Sequence, residues 1–211
     1  MSHVVLVGDS IFDNAAYTAG GPDVVSQVRG LLPPGWEATL LAVDGATTDG
    51  VAGQLTRLPE QATHLVLSVG GNNALKHMGI LQTRITSMTK AVEMLADVAS
   101  DFERRYRVAV AACLDTARPL AVCTIYNGCF DDQAFQRVAS TTLTVFNDAI
   151  IRVAIEHALP VIDLRSVCAT RADYANPIEP SSVGGEKIAR AIVGLVCGAR
   201  ATAPATRIVV A

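Results

Sequence analysis

The amino-acid sequence predicts a single α/β domain: a doubly wound, five-stranded parallel sheet with helices on both faces. Two observations predict it, namely five short apolar runs bounded by turn residues and helical patterns that alternate with those runs. The runs are HVVLV (3–7), EATLLAV (37–43), HLVLSV (64–69), LAVCTIY (120–126) and PVIDL (160–164). Such short, mainly apolar runs are typical of strands that are buried on both faces.

Five segments have the composition and spacing of helices, and they cover residues 22–32, 48–58, 82–117, 132–158 and 180–199. We expect the third of them to bend or break near its charged middle. Alternation of strands and helices favours right-handed crossovers within one domain, which we assign to residues 1–200. Residues 201–211 form a C-terminal tail. The sequence does not decide whether this tail adds an edge strand or is disordered.

The composition excludes several classes of protein. Half of the 211 residues are hydrophobic and the mean hydropathy is +0.35, yet no apolar run is long enough to span a membrane. A net charge of −3 argues against a nucleic-acid or anionic-membrane surface. Five cysteines without CxxC spacing and four scattered histidines give no support to a metal site, and no cofactor is expected. The N-terminus resembles a strand rather than a signal peptide, so a cytoplasmic location is predicted.

Small and polar residues follow each predicted strand. Ser10 follows the first strand, Gly45 the second and Asn72 the third, while Glu179 lies beyond the fifth. In doubly wound folds, functional groups gather beyond the carboxyl ends of the strands. Taken singly, each residue has an ordinary structural interpretation: Ser10 as a helix N-cap, Gly45 as a tight turn and Asn72 as a left-handed turn residue.

Together, VGDSIFDN (7–14), DGATTDG (44–50) and SVGGNN (68–73) resemble the first three sequence blocks of the SGNH hydrolases, the GDSL esterase and lipase family. The resemblance implies a flavodoxin-like fold and a small-molecule ester as substrate. It also implies that Ser10 is the nucleophile. The Ser10 N–H, the Gly45 N–H and the Asn72 side chain would then form an oxyanion hole, which needs two or three preorganised donors.

The fourth block departs from the family pattern. Family members carry an aspartate and, three residues later, a histidine just before the last helix. Here the corresponding stretch is NPIEPSSVGGEKIA (176–189), so that Asn176 stands in the aspartate position and Glu179 in the histidine position. The resemblance therefore places a carboxylate where the general base is expected, with Asn176 as an orienting amide.

A substitute imidazole must lie at the same edge of the sheet as Ser10. His3 and His64 begin strands and His157 precedes one, so all three belong to the opposite edge. His77, five residues beyond Asn72, is the one histidine on the correct side, although an exposed position in a loop or at a helix end is its ordinary interpretation. Asp13 or Asn14, close to the serine, is a further candidate for substrate contact.

Glu179 has two interpretations. An ordinary glutamate has a pKa near 4.3 and is a poor base at neutral pH, unless burial raises that pKa. Alternatively, Glu179 is a surface carboxylate that stabilises the helix N-terminus behind it. Its two flanking prolines and its place at the same edge as Ser10 favour a functional role.

Three functions remain open from the sequence. The first is a serine hydrolase that cleaves a small ester with a short acyl group, because aromatic residues are few (5%) and no lid segment is evident. The second is a protein of the same fold that binds an acyl or carboxylate ligand without turnover. The third is acyl transfer with Glu179 as an acid/base on a bound sugar. The natural substrate, the oligomeric state and the pathway are not predicted.

Overall fold

A central five-stranded parallel sheet organises the chain, whose computed structural model describes residues 2–198 and Ile208. The strand order is β2-β1-β3-β4-β5, and every neighbouring pair is parallel. This arrangement confirms the predicted fold class. The strands are β1 (Ser2–Gly8), β2 (Trp36–Leu40), β3 (His64–Ser68), β4 (Leu120–Cys123) and β5 (Val161–Ile162).

The sheet is covered on both faces because successive side chains of each strand point in opposite directions. In β1, Val4 and Leu6 join one buried cluster, whereas Val5 and Val7 join another. Both clusters continue into helices. The uninterrupted apolar sequence VVLV is therefore required by the packing of the strand between two layers.

The helices lie on the two faces in sets of unequal size. They are α1 (Val24–Leu31), α2 (Val51–Leu55), α3 (Gly71–Lys76), α4 (Met88–Leu114), α5 (Gln133–Glu156), α6 (Leu164–Val167) and α7 (Ser182–Val196). Helices α1 and α7 pack on the first face, and α2, α4 and α5 on the second. Side-chain N-caps start the four longest helices, with Ser181 capping α7 next to the loop that carries Glu179.

Helix α4 is continuous from Met88 to Leu114, so the break that was one of the two expectations for its charged middle was wrong. The charged residues are spaced to pair along the helix, as in the ion pair between Arg107 and Glu103. They also pair with α5: Arg152 lies 2.8 Å from Glu103, and Arg107 also pairs with Glu156. The charged stretch is thus a solvent-side link between two helices rather than an interruption of one.

Other differences from the sequence-based expectation are smaller. Strands β2, β4 and β5 end earlier than predicted, and α3 was not predicted because its sequence begins with glycine and asparagine. Helix α5 is long and apolar enough to cross a membrane by length and composition alone. In the fold, its Phe146, Ile150 and Val153 are buried against the sheet. Except for Ile208, the predicted tail 201–211 lies outside the described residues.

Candidate active site

Ser10 lies directly beyond the carboxyl end of β1, in a turn that starts at Gly8. Gly8 has a φ of +135°, and a Cβ at this position would lie 1.8 Å from the carbonyl oxygen of Ser68 on β3. The Gln54 side chain accepts a hydrogen bond from the Gly8 N–H (2.8 Å) and donates one to the Gly8 carbonyl (2.7 Å). Close contact between β1 and β3 and this amide pair therefore fix the turn that presents Ser10.

Ser10 and Glu179 meet although 168 residues separate them in the sequence. The Ser10 Oγ donates a hydrogen bond of 3.1 Å to Glu179 Oε1, and both side chains are buried. The second carboxylate oxygen, Oε2, is buried without a hydrogen-bond partner in the described part of the chain. A hydroxyl within hydrogen-bond reach of a carboxylate is the geometry that a nucleophile and its general base require.

The loop that carries Glu179 is held by its own backbone. Asn176 Oδ1 accepts hydrogen bonds of 2.9 Å from the N–H groups of both Ile178 and Glu179. The Ala175 N–H donates to the Glu179 carbonyl at 2.9 Å, which closes a turn. Asn176 therefore orients the backbone at position 179, rather than the Glu179 carboxylate itself.

Contacts from other elements fasten the same loop. The Tyr126 hydroxyl, beyond β4, donates to the Ile178 carbonyl, and Tyr126 packs edge-on against Tyr174 with ring centroids 5.1 Å apart. Asn14, fully buried, donates from Nδ2 to the Pro180 carbonyl (3.2 Å) and accepts from the Val24 N–H (2.9 Å). The sequence offered Asn14 as an alternative to Asp13 for substrate contact, and this was wrong, because the buried side chain supports the loop instead.

Three hydrogen-bond donors of the predicted oxyanion hole lie on three different connections. The backbone N–H groups of Ser10 and Gly45 donate no hydrogen bond within residues 2–198. Asn72 donates one bond from Nδ2 to the Ala46 carbonyl (2.9 Å), which leaves its second amide hydrogen uncommitted and ties the Gly45 loop to α3. Gly45 has a φ of +76°, a conformation that favours glycine.

Asp13 and His77, the two further candidates, have different surroundings. Asp13 Oδ2 accepts a hydrogen bond of 2.9 Å from the Asp44 N–H and so supports the loop that carries Gly45. His77 is half-buried at the end of α3 and lines the same cavity as Ser10. Across the described ranges, no hydrogen bond joins its imidazole to Ser10 or Glu179. His3, at the opposite edge, contacts Thr39 at 2.8 Å.

The electrostatics of the site favour neutral carboxyl groups. Burial raises the pKa of Glu179 to about 7; the hydrogen bond from Ser10 lowers it, and the negative charge of Asp44 raises it further. Asp9, adjacent to Ser10, also has a pKa raised to about 7, by burial first and then by the charge of Glu179. Since the two carboxyls interact, they titrate as a pair near neutral pH, where a general base is most useful.

The raised pKa of Glu179 has a consequence for stability. Between the ordinary value of 4.5 and about 7, the unfolded chain has lost this proton while the folded chain retains it, so raising the pH favours unfolding. We therefore expect Glu179→Gln to be more stable than the wild type at pH 8, with the difference disappearing below about pH 4.5. Thermal melts of both proteins from pH 4 to pH 8.5 measure it, and a pH-independent difference would contradict the burial of an ionisable group here.

An open cavity of about 110 Å³ adjoins Ser10, Glu179 and Asn72. Its remaining walls are mostly apolar and come from α3, α4, α5 and the connection after β4. In the part of the chain that the structure describes, no group of three or more His, Cys, Asp or Glu side chains is placed to hold a metal ion. The arrangement thus combines a buried hydroxyl, a carboxylate within hydrogen-bond reach of it, two backbone N–H groups that donate no hydrogen bond in the described residues, and an apolar recess.

Comparisons with known proteins place the chain among ester-cleaving enzymes. The model of the GDSL-like lipase/acylhydrolase family matches residues 6–187. An acetyl xylan esterase, AlAXEase, superposes with a TM-score of 0.69 at 17% identity over 92% of this chain and 99% of its own.

Two bacterial structures are similar as well. The extracellular lipase of Streptomyces rimosus gives a TM-score of 0.65 at 14% identity, over 94% of this chain and 100% of the lipase. A lipase/acylhydrolase from Enterococcus faecalis gives 0.63 at 19% identity, over 94% and 97%. No curated protein matches by sequence.

Proposed function

The chain belongs to the GDSL-like lipase/acylhydrolase family, whose fold it shares, and we propose that it is a serine esterase in which Glu179 replaces the usual histidine as general base. Membership of the family supports an ester-hydrolysing serine hydrolase. The finer assignment of the base rests on one observation, the 3.1 Å hydrogen bond from Ser10 Oγ to Glu179 Oε1 in a buried site.

In the first step, Ser10 Oγ attacks the ester carbonyl carbon while its proton passes to the Glu179 carboxylate. The tetrahedral intermediate collapses with cleavage of the bond to the alcohol oxygen, which takes the proton back from Glu179 and leaves as the alcohol. An acyl-enzyme on Ser10 remains. Water then attacks the acyl carbon, gives a proton to Glu179, and the second collapse returns that proton to Ser10 as the carboxylic acid is released.

The charge balance of this mechanism differs from that of a histidine enzyme. An imidazole becomes a cation and attracts the oxyanion, whereas Glu179 becomes neutral as the negative charge moves to the substrate oxygen. Burial favours this transfer, because the apolar surroundings that raise the pKa of Glu179 make its carboxylate a stronger base. Stabilisation of the oxyanion then depends on the donors from Ser10, Gly45 and Asn72, each typically worth about 10² to 10³ in rate.

The pH profile of esterase activity tests the base. Because Glu179 must be ionised to accept the proton, we expect kcat/KM to rise about tenfold per pH unit below pH 7 and to level off above it. Activated 4-nitrophenyl esters assayed between pH 4 and pH 9, with the uncatalysed rate subtracted, give the profile. If activity instead rose around the pKa of an ordinary glutamate, at about pH 4.3, the result would contradict a buried base. Absence of turnover at every pH would contradict the proposal that the protein is an esterase.

A covalent probe tests the nucleophile independently of any ester. A fluorophosphonate is expected to label the protein once, with the adduct on Ser10 in the peptide map, and Ser10→Ala is expected to stay unlabelled. The Ser10→Ala variant also serves as the control for nonspecific labelling. An adduct on another serine would move the nucleophile elsewhere.

A second function, ligand binding without turnover, is favoured by one observation: Glu179 takes the place of an imidazole. If Glu179 stayed protonated at working pH, Ser10 would lack a base and the site would hold an acyl or carboxylate ligand. Ligand-dependent stabilisation without labelling of Ser10 would support this alternative.

Several sequence-based expectations stay predictions. These are the short acyl group, the cytoplasmic location, and the absence of nucleic-acid and membrane partners. The apolar cavity beside Ser10 bears on the first of them, because its wall, drawn from α3, α4 and α5, offers apolar contacts to a longer acyl group.

A further inference from the structure

The cavity beside Ser10 has one polar end and an extended apolar part. Ser10, Glu179 and Asn72 lie at the polar end. The apolar part is formed by side chains of α3, α4, α5 and the turn before α4. Those that matter most here are Leu75, Ile80, Leu95, Val98, Phe135 and Leu143.

The facing surfaces of helices α4 and α5 differ between their two halves, one half forming ion pairs and the other lining the cavity. Their C-terminal halves are joined by the ion pairs of Arg107 with Glu156 and of Arg152 with Glu103. Their N-terminal halves instead contribute half-buried apolar side chains, such as Leu95 and Leu143, to the cavity wall. This half of each helix thus keeps apolar surface available for a ligand.

The mouth of the cavity is apolar as well. Met78 and Leu81, in the single turn before α4, line the cavity and are 40% and 37% exposed. Phe146, which is buried, also lines the cavity. A sugar or charged group bound between these walls would lose its hydration without gaining hydrogen bonds, whereas an alkyl chain gains from burial.

We propose that the acyl group of the substrate is an apolar chain of the hexanoyl to decanoyl class, bound between the N-terminal halves of α4 and α5. The inference rests on the proposed function, since it takes Ser10 as the point where the acyl carbon is held. The chain would run from Ser10 past Val98 and Leu143 towards Met78. This assignment differs from the short acyl group that the sequence predicts.

A series of 4-nitrophenyl esters from acetate to dodecanoate, kept below their critical micelle concentrations, tests the chain length. Burial of each methylene is expected to raise kcat/KM about fourfold until the cavity is full, so that octanoate exceeds butanoate by up to about 200-fold. A maximum at acetate with a steady decline thereafter would overturn the proposal.

Two substitutions locate the effect in the cavity. Ala139→Phe places a ring on the cavity wall and is expected to lower the octanoate-to-butanoate ratio of kcat/KM at least about tenfold. Leu143→Ala enlarges the space and is expected to move the maximum to a longer ester. Ala96→Phe, an exposed site of α4 outside the cavity, is the matched control and should leave the ratio unchanged. Equal ratios in Ala139→Phe and Ala96→Phe would overturn the proposal.

Binding to Ser10→Ala separates this inference from the proposed function. Hexanamide is neutral and is expected to raise the Tm of this variant at concentrations where acetamide does not. If no ester is hydrolysed but hexanamide stabilises the variant, the acyl site stands and the proposed function fails. If acetate is the best ester and hexanamide has no effect, the proposed function stands and the acyl site fails.

Discussion

Ser10→Ala is expected to lower kcat/KM for an activated ester by about 10⁴- to 10⁶-fold, the loss found when a serine nucleophile that works with its base as a unit is removed. Glu179→Gln keeps the shape of the side chain but cannot take up a proton, and it is expected to cost about 10²- to 10⁴-fold. Because both residues act in one step, joined by a 3.1 Å hydrogen bond, the two losses should not add.

The double variant Ser10→Ala/Glu179→Gln is therefore the decisive measurement. We expect it to be no slower than Ser10→Ala alone, within about threefold. His77→Gln is the control for the remaining imidazole of the cavity and is expected to retain activity within about threefold, since no hydrogen bond ties it to Ser10 in the described residues. If the fold-losses in kcat/KM of the two single variants multiplied in the double variant, Glu179 would not be the base. A large loss in His77→Gln would contradict that assignment as well.

Gly8→Ala is expected to produce the largest loss of stability. The added Cβ would meet the Ser68 carbonyl oxygen at 1.8 Å, in a backbone conformation with φ of +135°. Strain of this conformation and separation of β1 from β3 together should cost about 3 to 5 kcal/mol, a large share of the stability of a domain of this size. Urea denaturation measures the effect, and failure to accumulate in soluble form counts as the same result.

Gly30→Ala is the matched control for this substitution. Gly30 lies in α1 with open space where a Cβ would be, and its replacement should stabilise the helix by up to about 1 kcal/mol. If the urea midpoint of Gly8→Ala stayed at or above the wild-type value, as that of Gly30→Ala is expected to, the prediction would be contradicted. The contact between β1 and β3 would then accommodate a Cβ without loss of stability.

The sheet and its principal helices were predictable because they depend on local patterns. Apolar runs of four to seven residues mark strands buried on both faces, and VVLV in β1 contributes to both buried clusters as such a strand must. Helix α3 was not predictable in the same way. Its sequence GGNNA favours a turn, and Gly70 precedes it with a φ of +136°, which only the tertiary structure requires.

The positions of the site residues were predictable from the sequence, but their electrostatics and the cavity beside them were not. Ser10 and Glu179 were expected to meet at one edge of the sheet, since strand ends converge there, and they do lie within hydrogen-bond distance. The pKa of Glu179 was beyond sequence reasoning, because it depends on burial by distant parts of the chain. The apolar cavity was also missed, since its wall residues are spread over three helices and each looks like an ordinary core position.

The connection that bears Glu179 is held without using its side chain: Asn176, Tyr126 and Asn14 all bind main-chain groups, at positions 178 to 180. The hydrogen bonds that hold the backbone there therefore do not involve the side chain at position 179. A connection held in this way can carry an imidazole or a carboxylate at that position with the same supporting bonds.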